Sequence, residues 1–185
     1  WFRSSGLKLD ERGYVTVDGY GRTNLDGVWA LGDITPGHAL AHRAFEQGIT
    51  IAEKIAGADP KPVIDDTVPQ VVFSFPEAAS VGLTLDQAKA REDVVEPKET
   101  AYPMLSNARM LMSGEGGSMT VVSGAFANNP DMQVVLGVHI VSPIASDLIA
   151  EAEQLVGNRV PLADAARLIH PHPTFSETLG EALLK

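Results

Sequence analysis

The sequence predicts an α+β fold: an antiparallel sheet with flanking helices, preceded by a shorter strand–strand–helix segment. Three observations predict it. Two apolar runs, "GGSMTVVSGAF" and "MQVVLGVHIVS", flank a polar "NNPD" and read as an antiparallel hairpin. Apolar stripes at helical spacing lie both before and after that hairpin. Between the first stripe and the hairpin runs "GADPKPVIDDTVPQ", rich in Pro and Asp, which reads as a linker and puts a domain boundary near residue 65, giving domains 1–65 and 66–185.

Each element has a local reason. "GYVTVDG" alternates apolar and polar residues between glycines, a short strand. "RTNLDGVWALGD" carries a turn signal at Asp26-Gly27 and an apolar run, Val28 to Leu31, that stops at Gly32-Asp33, a buried strand. The helix that follows places Leu40, Ala41, Ala44, Phe45, Gly48, Ile51, Ala52 and Ile55 on one stripe and closes on Gly57. Beyond the linker, "VPQVVFSF" reads as a strand ended by Pro76. Thr84 with Gln87 three residues on makes a capping box and starts a short helix. After the hairpin, "ASDLIAEAEQLVGN" lines up Leu148, Ile149, Ala152, Leu155 and Val156 on one face. "PLADAARLI" begins a helix with proline at its first position, and a last helix follows residue 174.

Composition narrows the chemistry. Hydrophobic residues make up 44% of the 185 positions, enough for a packed core. No apolar run approaches the roughly 18–20 residues that span a bilayer, and no secretory pattern opens the chain. A cytoplasmic setting is the expectation, and Trp1 reads as a cut point in a longer chain. A formal net charge of −10 with scattered basic residues argues against nucleic-acid binding. With no cysteine, the chain brings no disulfide, no zinc–thiolate site and no thiol nucleophile of its own.

Two stretches carry candidate chemistry. At the first, Gly32-Asp33 leads into a helix. Glycine lets a ligand approach the backbone, Asp33 can accept hydrogen bonds from hydroxyls, and the helix start presents N–H groups with a partial positive charge of roughly +0.5. That suits a phosphate or an electron-rich ring, although Asp33 as a plain turn cap is equally compatible. No GxGxxG fingerprint occurs, so most of any dinucleotide site lies outside these residues. His38 and His42 are spaced for one helix face, yet no third ligand accompanies them and no metal site is read there. His139 reads as a half-buried sheet residue.

The second stretch is "IHPHPTFSETLGEALLK". Pro171 and Pro173 each push the preceding histidine out of helical conformation. His170 and His172 therefore sit two apart on a stiff extended segment and point to opposite sides. One can face inward while the other faces a site, and stiffness suits a general base. Glu177 has two readings. With Thr174 it forms a capping box for the last helix. Turned back to His172, it fixes the tautomer and favours the charged ring.

The runs "RTNLDGVWALGD", "ALAHRAFEQG", "FSFPEAASVGLT", "NARM" and "IHPHPTFSETLGEALL", in this order, resemble the flavin-dependent pyridine nucleotide–disulfide oxidoreductases, in the branch that oxidises dihydrolipoyl groups. The resemblance covers essentially the whole chain and corresponds to the C-terminal part of a family member. It implies that residues 1–65 are the remnant of an FAD-binding α/β domain and 66–185 a dimerisation domain. Asp33 would bond the ribityl chain of FAD, with Ala39, Leu40, Ala41 and His42 lining the flavin. His172 would be the general base toward a dihydrolipoyl thiol, Glu177 its orienting acid, and His170 a supporting residue. The further implications are NAD as co-substrate, a homodimer in which His172 serves the partner subunit, and lipoyl groups of 2-oxo acid dehydrogenase complexes as partners. By itself the segment is expected to be inactive. A dimerisation module without chemistry, or the same part of a glutathione- or mycothiol-type disulfide reductase, is the alternative.

Overall fold

The computed structural model describes residues 4–185. The chain divides into two compact units, one running to Asp65 and one from Asp66 to Lys185.

The first unit is built around one helix, α1 (Ala41–Ile55), capped at its C-terminal end by Gly57 in the left-handed region at φ 86°. Two strands are expected ahead of it. The described residues instead form two isolated antiparallel bridges, Leu9 with Val15 and Arg22 with Trp29. A ladder needs a partner over several consecutive residues, and these segments meet one only at single points. For the same reason the run Val28–Leu31 buries only Ala30, while Val28 and Leu31 stay partly exposed. The apolar stripe of α1 is largely open within this unit: Phe45 is 72% exposed and Ile55 is exposed as well, as is Ile49 beside the stripe. The residues that α1 does bury are Arg43, Thr50 and Ile51.

The second unit is a five-stranded antiparallel sheet of order β1-β2-β5-β4-β3. The strands are β1 (Gln70–Val72), β2 (Glu77–Gly82), β3 (Val94–Pro103), β4 (Ser118–Phe126) and β5 (Asn129–Ser142). The β4–β5 hairpin closes between Phe126 and Asn129. It carries a bulge where Val122 pairs with Gly137 and the next residue, Ser123, pairs with Val135. A bulge inserts one residue and reverses the side-chain phase. Val135 can therefore share one face with Val138 and Ile140, while Val134 and Leu136 join Val122 in a second cluster on the other face. Of the five strands, β2 and β3 went unread in the sequence. β2 is Ala/Ser-rich, and β3 holds Pro97 and three charged residues, Glu96, Lys98 and Glu99, a composition tolerated because β3 is an edge.

Helix α2 (Leu85–Ala90) starts with the anticipated capping box. Thr84 Oγ1 accepts the Gln87 N–H at 3.2 Å and Gln87 Oε1 accepts the Thr84 N–H at 2.8 Å. A short helix α3 (Ala108–Ser113) follows β3. Helix α4 (Ala145–Gly157) buries Ala145, Ile149, Ala152, Leu155 and Val156 against β2 and β5. Fully burying each Ile, Leu or Val contributes about 1.5–3 kcal/mol. α5 is a single turn, Leu162–Ala165, rather than a full helix over "PLADAARLI". α6 (Glu177–Leu183) buries Leu179, Ala182 and Leu183 beside β3 and β4. The segment between α5 and α6 carries the two proline-flanked histidines.

Candidate functional site

His170 and His172 occupy opposite environments, and each is tied to a carboxylate. His170 Nε2 lies 2.7 Å from Glu151 Oε1 on α4, with the His170 side chain 10% exposed. His172 Nδ1 lies 2.8 Å from Glu177 Oε1, with the His172 side chain 71% exposed. An ionised carboxylate can only accept, so each bonded ring nitrogen carries the hydrogen. In the neutral rings the free acceptor is Nδ1 of His170, turned toward α6, and Nε2 of His172, on the exposed ring.

Of the two readings of Glu177, the turn toward His172 is present and the capping box is not, because α6 opens at Glu177 itself, with Ser176 at its N-cap. Oε1 accepts from His172, while Oε2 accepts the backbone N–H of Thr174 at 2.8 Å. Thr174 lies ahead of the helix, so its bond to Glu177 closes a turn of the histidine segment, and Thr174 Oγ1 donates to the carbonyl of Pro171 at 2.6 Å. The Thr174 N–H first and the His172 ring second hold the Glu177 carboxyl below its ordinary range. It therefore stays an acceptor at neutral pH. The arrangement is a proton acceptor on an exposed ring, with tautomer and orientation set from behind.

The supports of this segment come from distant elements. Gly180, one turn into α6, faces His170. A Cβ built there would stand 2.7 Å from Nδ1, so only glycine leaves the ring room. Arg109 on α3 stacks over the Phe175 ring at 5.6 Å. One turn beyond Glu177, Glu181 accepts a hydrogen bond from Tyr102 of β3 and so ties α6 to the sheet. Burial first, then the contact with Glu181, pushes the Tyr102 phenol up. None of these partners was singled out from the sequence, since each pairing spans many positions. The one available signal was Gly180, a glycine inside a helix pattern.

In the first unit, Gly32–Ile34 forms a 3₁₀ turn. Gly32 is at φ 69°, in the region that favours glycine. Its N–H donates to Gln47 Oε1 of α1 at 2.9 Å, and Thr35 Oγ1 donates to its carbonyl at 2.8 Å. These bonds hold the turn against the helix and leave Asp33 exposed. Ala39, Ala41 and His42 are exposed and Leu40 half-buried around the start of α1. That start has no acid in its first turn and no side-chain cap from Leu40. The loop before it is pinned by Arg43, which is buried. Its Nε donates to Asp65 Oδ1 at 2.6 Å and its Nη2 to the carbonyl of Pro36 at 2.6 Å. Arg43 and Gln47 were not foreseen; nothing in helical spacing marks an inward-facing polar side chain. A helix start without a capping acid fits an electron-rich group, and an exposed carboxylate on a glycine-supported turn fits a polyol. Among the described residues no three His, Asp or Glu gather as a metal-holding group.

His139 lies in β5 opposite Ser80 and Thr120, half-buried, with Nε2 3.2 Å from the Leu83 carbonyl. Among the described residues no helix is long and apolar enough to cross a membrane.

The sheet-and-helix unit carries an exposed histidine held by a carboxylate, and the unit before it carries a glycine-supported turn leading into a helix. The comparisons supply the family. The dimerisation-domain model of the pyridine nucleotide-disulphide oxidoreductases matches residues 68–183, and a second pyridine nucleotide-disulphide oxidoreductase model matches residues 1–48. The chain belongs to this family. It is 41% identical over 181 residues to a dihydrolipoyl dehydrogenase of Cupriavidus necator, covering 97% of this chain and 36% of that protein. A dihydrolipoyl dehydrogenase of Bacillus subtilis is 37% identical over 177 residues, covering 95% and 36%. The chain thus spans little more than a third of the length of these curated relatives. Among solved structures, LpdA from Mycobacterium tuberculosis superposes with a TM-score of 0.86 at 31% identity, over 97% of this chain and 38% of that one. The flavoprotein disulfide reductase RclA from Escherichia coli, at 22% identity and a TM-score of 0.82 over 99% of this chain and 41% of that one, shares the fold.

Proposed function

We propose that this chain is the flavin-contacting and dimer-forming part of a dihydrolipoyl dehydrogenase, working in the cytoplasm as a homodimer. Residues 1–65 would end the FAD-binding domain, and 66–185 would form the dimerisation domain. The full-length enzyme would oxidise dihydrolipoyl groups of 2-oxo acid dehydrogenase complexes, with NAD as final acceptor. Bound FAD would carry the electron pair between the dithiol and NAD. Asp33 would hold its ribityl hydroxyls, and Ala39, Leu40, Ala41 and His42 would line it at the start of α1.

The observation that carries the reading is the His172–Glu177 pair. Glu177 keeps the hydrogen on Nδ1, so Nε2 is the basic atom, on an exposed ring. A thiol has an unperturbed pKa of about 8.5, so at neutral pH a base must take its proton before sulfur attacks. His172 Nε2 accepts that proton and later returns it; Glu177 stabilises the charged ring in between. The exposed position suits service to a redox disulfide on the partner subunit, since no cysteine lies in this chain. His170, held by Glu151, supports the segment from the inside.

The test is His172→Gln in the full-length enzyme. The rate of dihydrolipoamide oxidation should fall by about 10²–10⁴-fold, with flavin absorbance and the dimer unchanged. An undiminished rate removes the general base. A full-length enzyme that dimerises without binding flavin would favour the module without chemistry.

A further inference from the structure

We propose that Asn107 is a positioning residue for the His172–Glu177 pair, acting through Thr174. The inference rests on the reading of His172 as the base.

Asn107 is 2% exposed and lies at the junction of β3 and α3. Its amide does two jobs. Oδ1 accepts the Met110 N–H at 3.0 Å and caps α3. Nδ2 donates to the backbone carbonyl of Thr174 at 3.0 Å, 67 positions along the chain. The cap alone would explain an asparagine, but serine, threonine or aspartate caps as well. Only an amide both accepts from the helix and donates to a carbonyl in one planar group.

Thr174 is the next link. Its carbonyl is held by Asn107, its hydroxyl by Pro171, and its N–H by Glu177 Oε2. Glu177 Oε1 in turn holds His172 Nδ1. A continuous run of hydrogen bonds thus leads from a buried side chain to the exposed ring. Arg109, two residues after Asn107, adds a second hold by stacking on Phe175. α3 is therefore the platform against which the histidine segment is set. Freed at its carbonyl, Thr174 can rotate, and its N–H no longer fixes the carboxylate behind His172. A misplacement near 1 Å can cost about 100-fold in rate.

The decisive variant is Asn107→Asp. It keeps the acceptor that caps α3 and replaces the donor with an oxygen facing the Thr174 carbonyl. It is made in the full-length holoenzyme, alone and together with His172→Gln, and kcat, the KM for NAD and the melting temperature are measured. Asn107→Asp alone should lower kcat by about 10–100-fold and leave the KM for NAD unchanged. In the His172→Gln background it should cause no further loss, because the group it positions is already gone. Asn107→Ser, which keeps a cap but lacks the reach of the amide, should show the same pattern. A wild-type kcat in Asn107→Asp overturns the proposal, whatever its melting temperature. An equal loss in both backgrounds also overturns it, since the residue would then act elsewhere. Full activity in His172→Gln alone would instead remove the base itself, and this proposal with it.

Discussion

Two histidine–carboxylate pairs stand two residues apart, and they differ in nearly everything except chemistry. The inner pair, His170 with Glu151, ties the segment to α4 with its ring nearly buried. The outer pair, His172 with Glu177, holds its ring from behind and leaves the other nitrogen outward. The same ion-pair geometry anchors in one place and orients in the other. What separates the roles is which ring nitrogen the carboxylate engages and how much water reaches the opposite one.

The contrast can be broken experimentally. The largest difference should separate His172→Gln from His170→Gln. The first should lose the catalytic rate and keep the melting temperature; the second should do the reverse, with a smaller loss of rate through the shifted segment. Equal effects on rate would erase the distinction. Next in size is Glu151→Ala, which strands a nearly buried ring donor and should cost about 1–3 kcal/mol of stability, read from urea midpoints. Gly180→Ala should also destabilise, by about 1–3 kcal/mol from overpacking, even though alanine favours a helix by about 1 kcal/mol over glycine. A stabilised Gly180→Ala would show that His170 yields freely.

The smallest effect concerns pH. Bonds from Thr174 and His172 depress the Glu177 carboxyl below its ordinary value of 4.5. A depressed acid adds stability that is complete above its unfolded value and is lost as pH falls through the lower folded value. The stability gap between wild type and Glu177→Gln should therefore be full at pH 7 and close below about pH 4.5. A gap unchanged at pH 3 would place the contribution elsewhere.

The two units teach a related lesson about burial. The second closes a core on both faces of its sheet, whereas the first shows Phe45, Ile49 and Ile55 to solvent. Periodicity identified both helices equally well, because an apolar stripe states only that a face needs cover. It does not name the cover. That is why equally clear stripes end with α4 covered and α1 largely open within its unit, and why Val28–Leu31 was taken for a buried strand.

What the sequence determined by itself is whatever closes within a few residues. The Thr84–Gln87 box, the buried face of α4, the hairpin, and the stiff presentation of His170 and His172 to opposite sides all depend on spacing and local sterics. Tertiary structure decided the rest. Glu177 could cap its own helix or face His172, and only the fold showed that the helix opens at Glu177, leaving one oxygen on His172 and the other on the Thr174 N–H. The bonds from Asn107 to Thr174, Glu151 to His170, Tyr102 to Glu181 and Gln47 to Gly32 join residues 15 to 79 positions apart. Strand register, the β5 bulge and helix placement set such pairings. Side chains far apart in the chain carry no mark of which partner packing will bring within 3 Å.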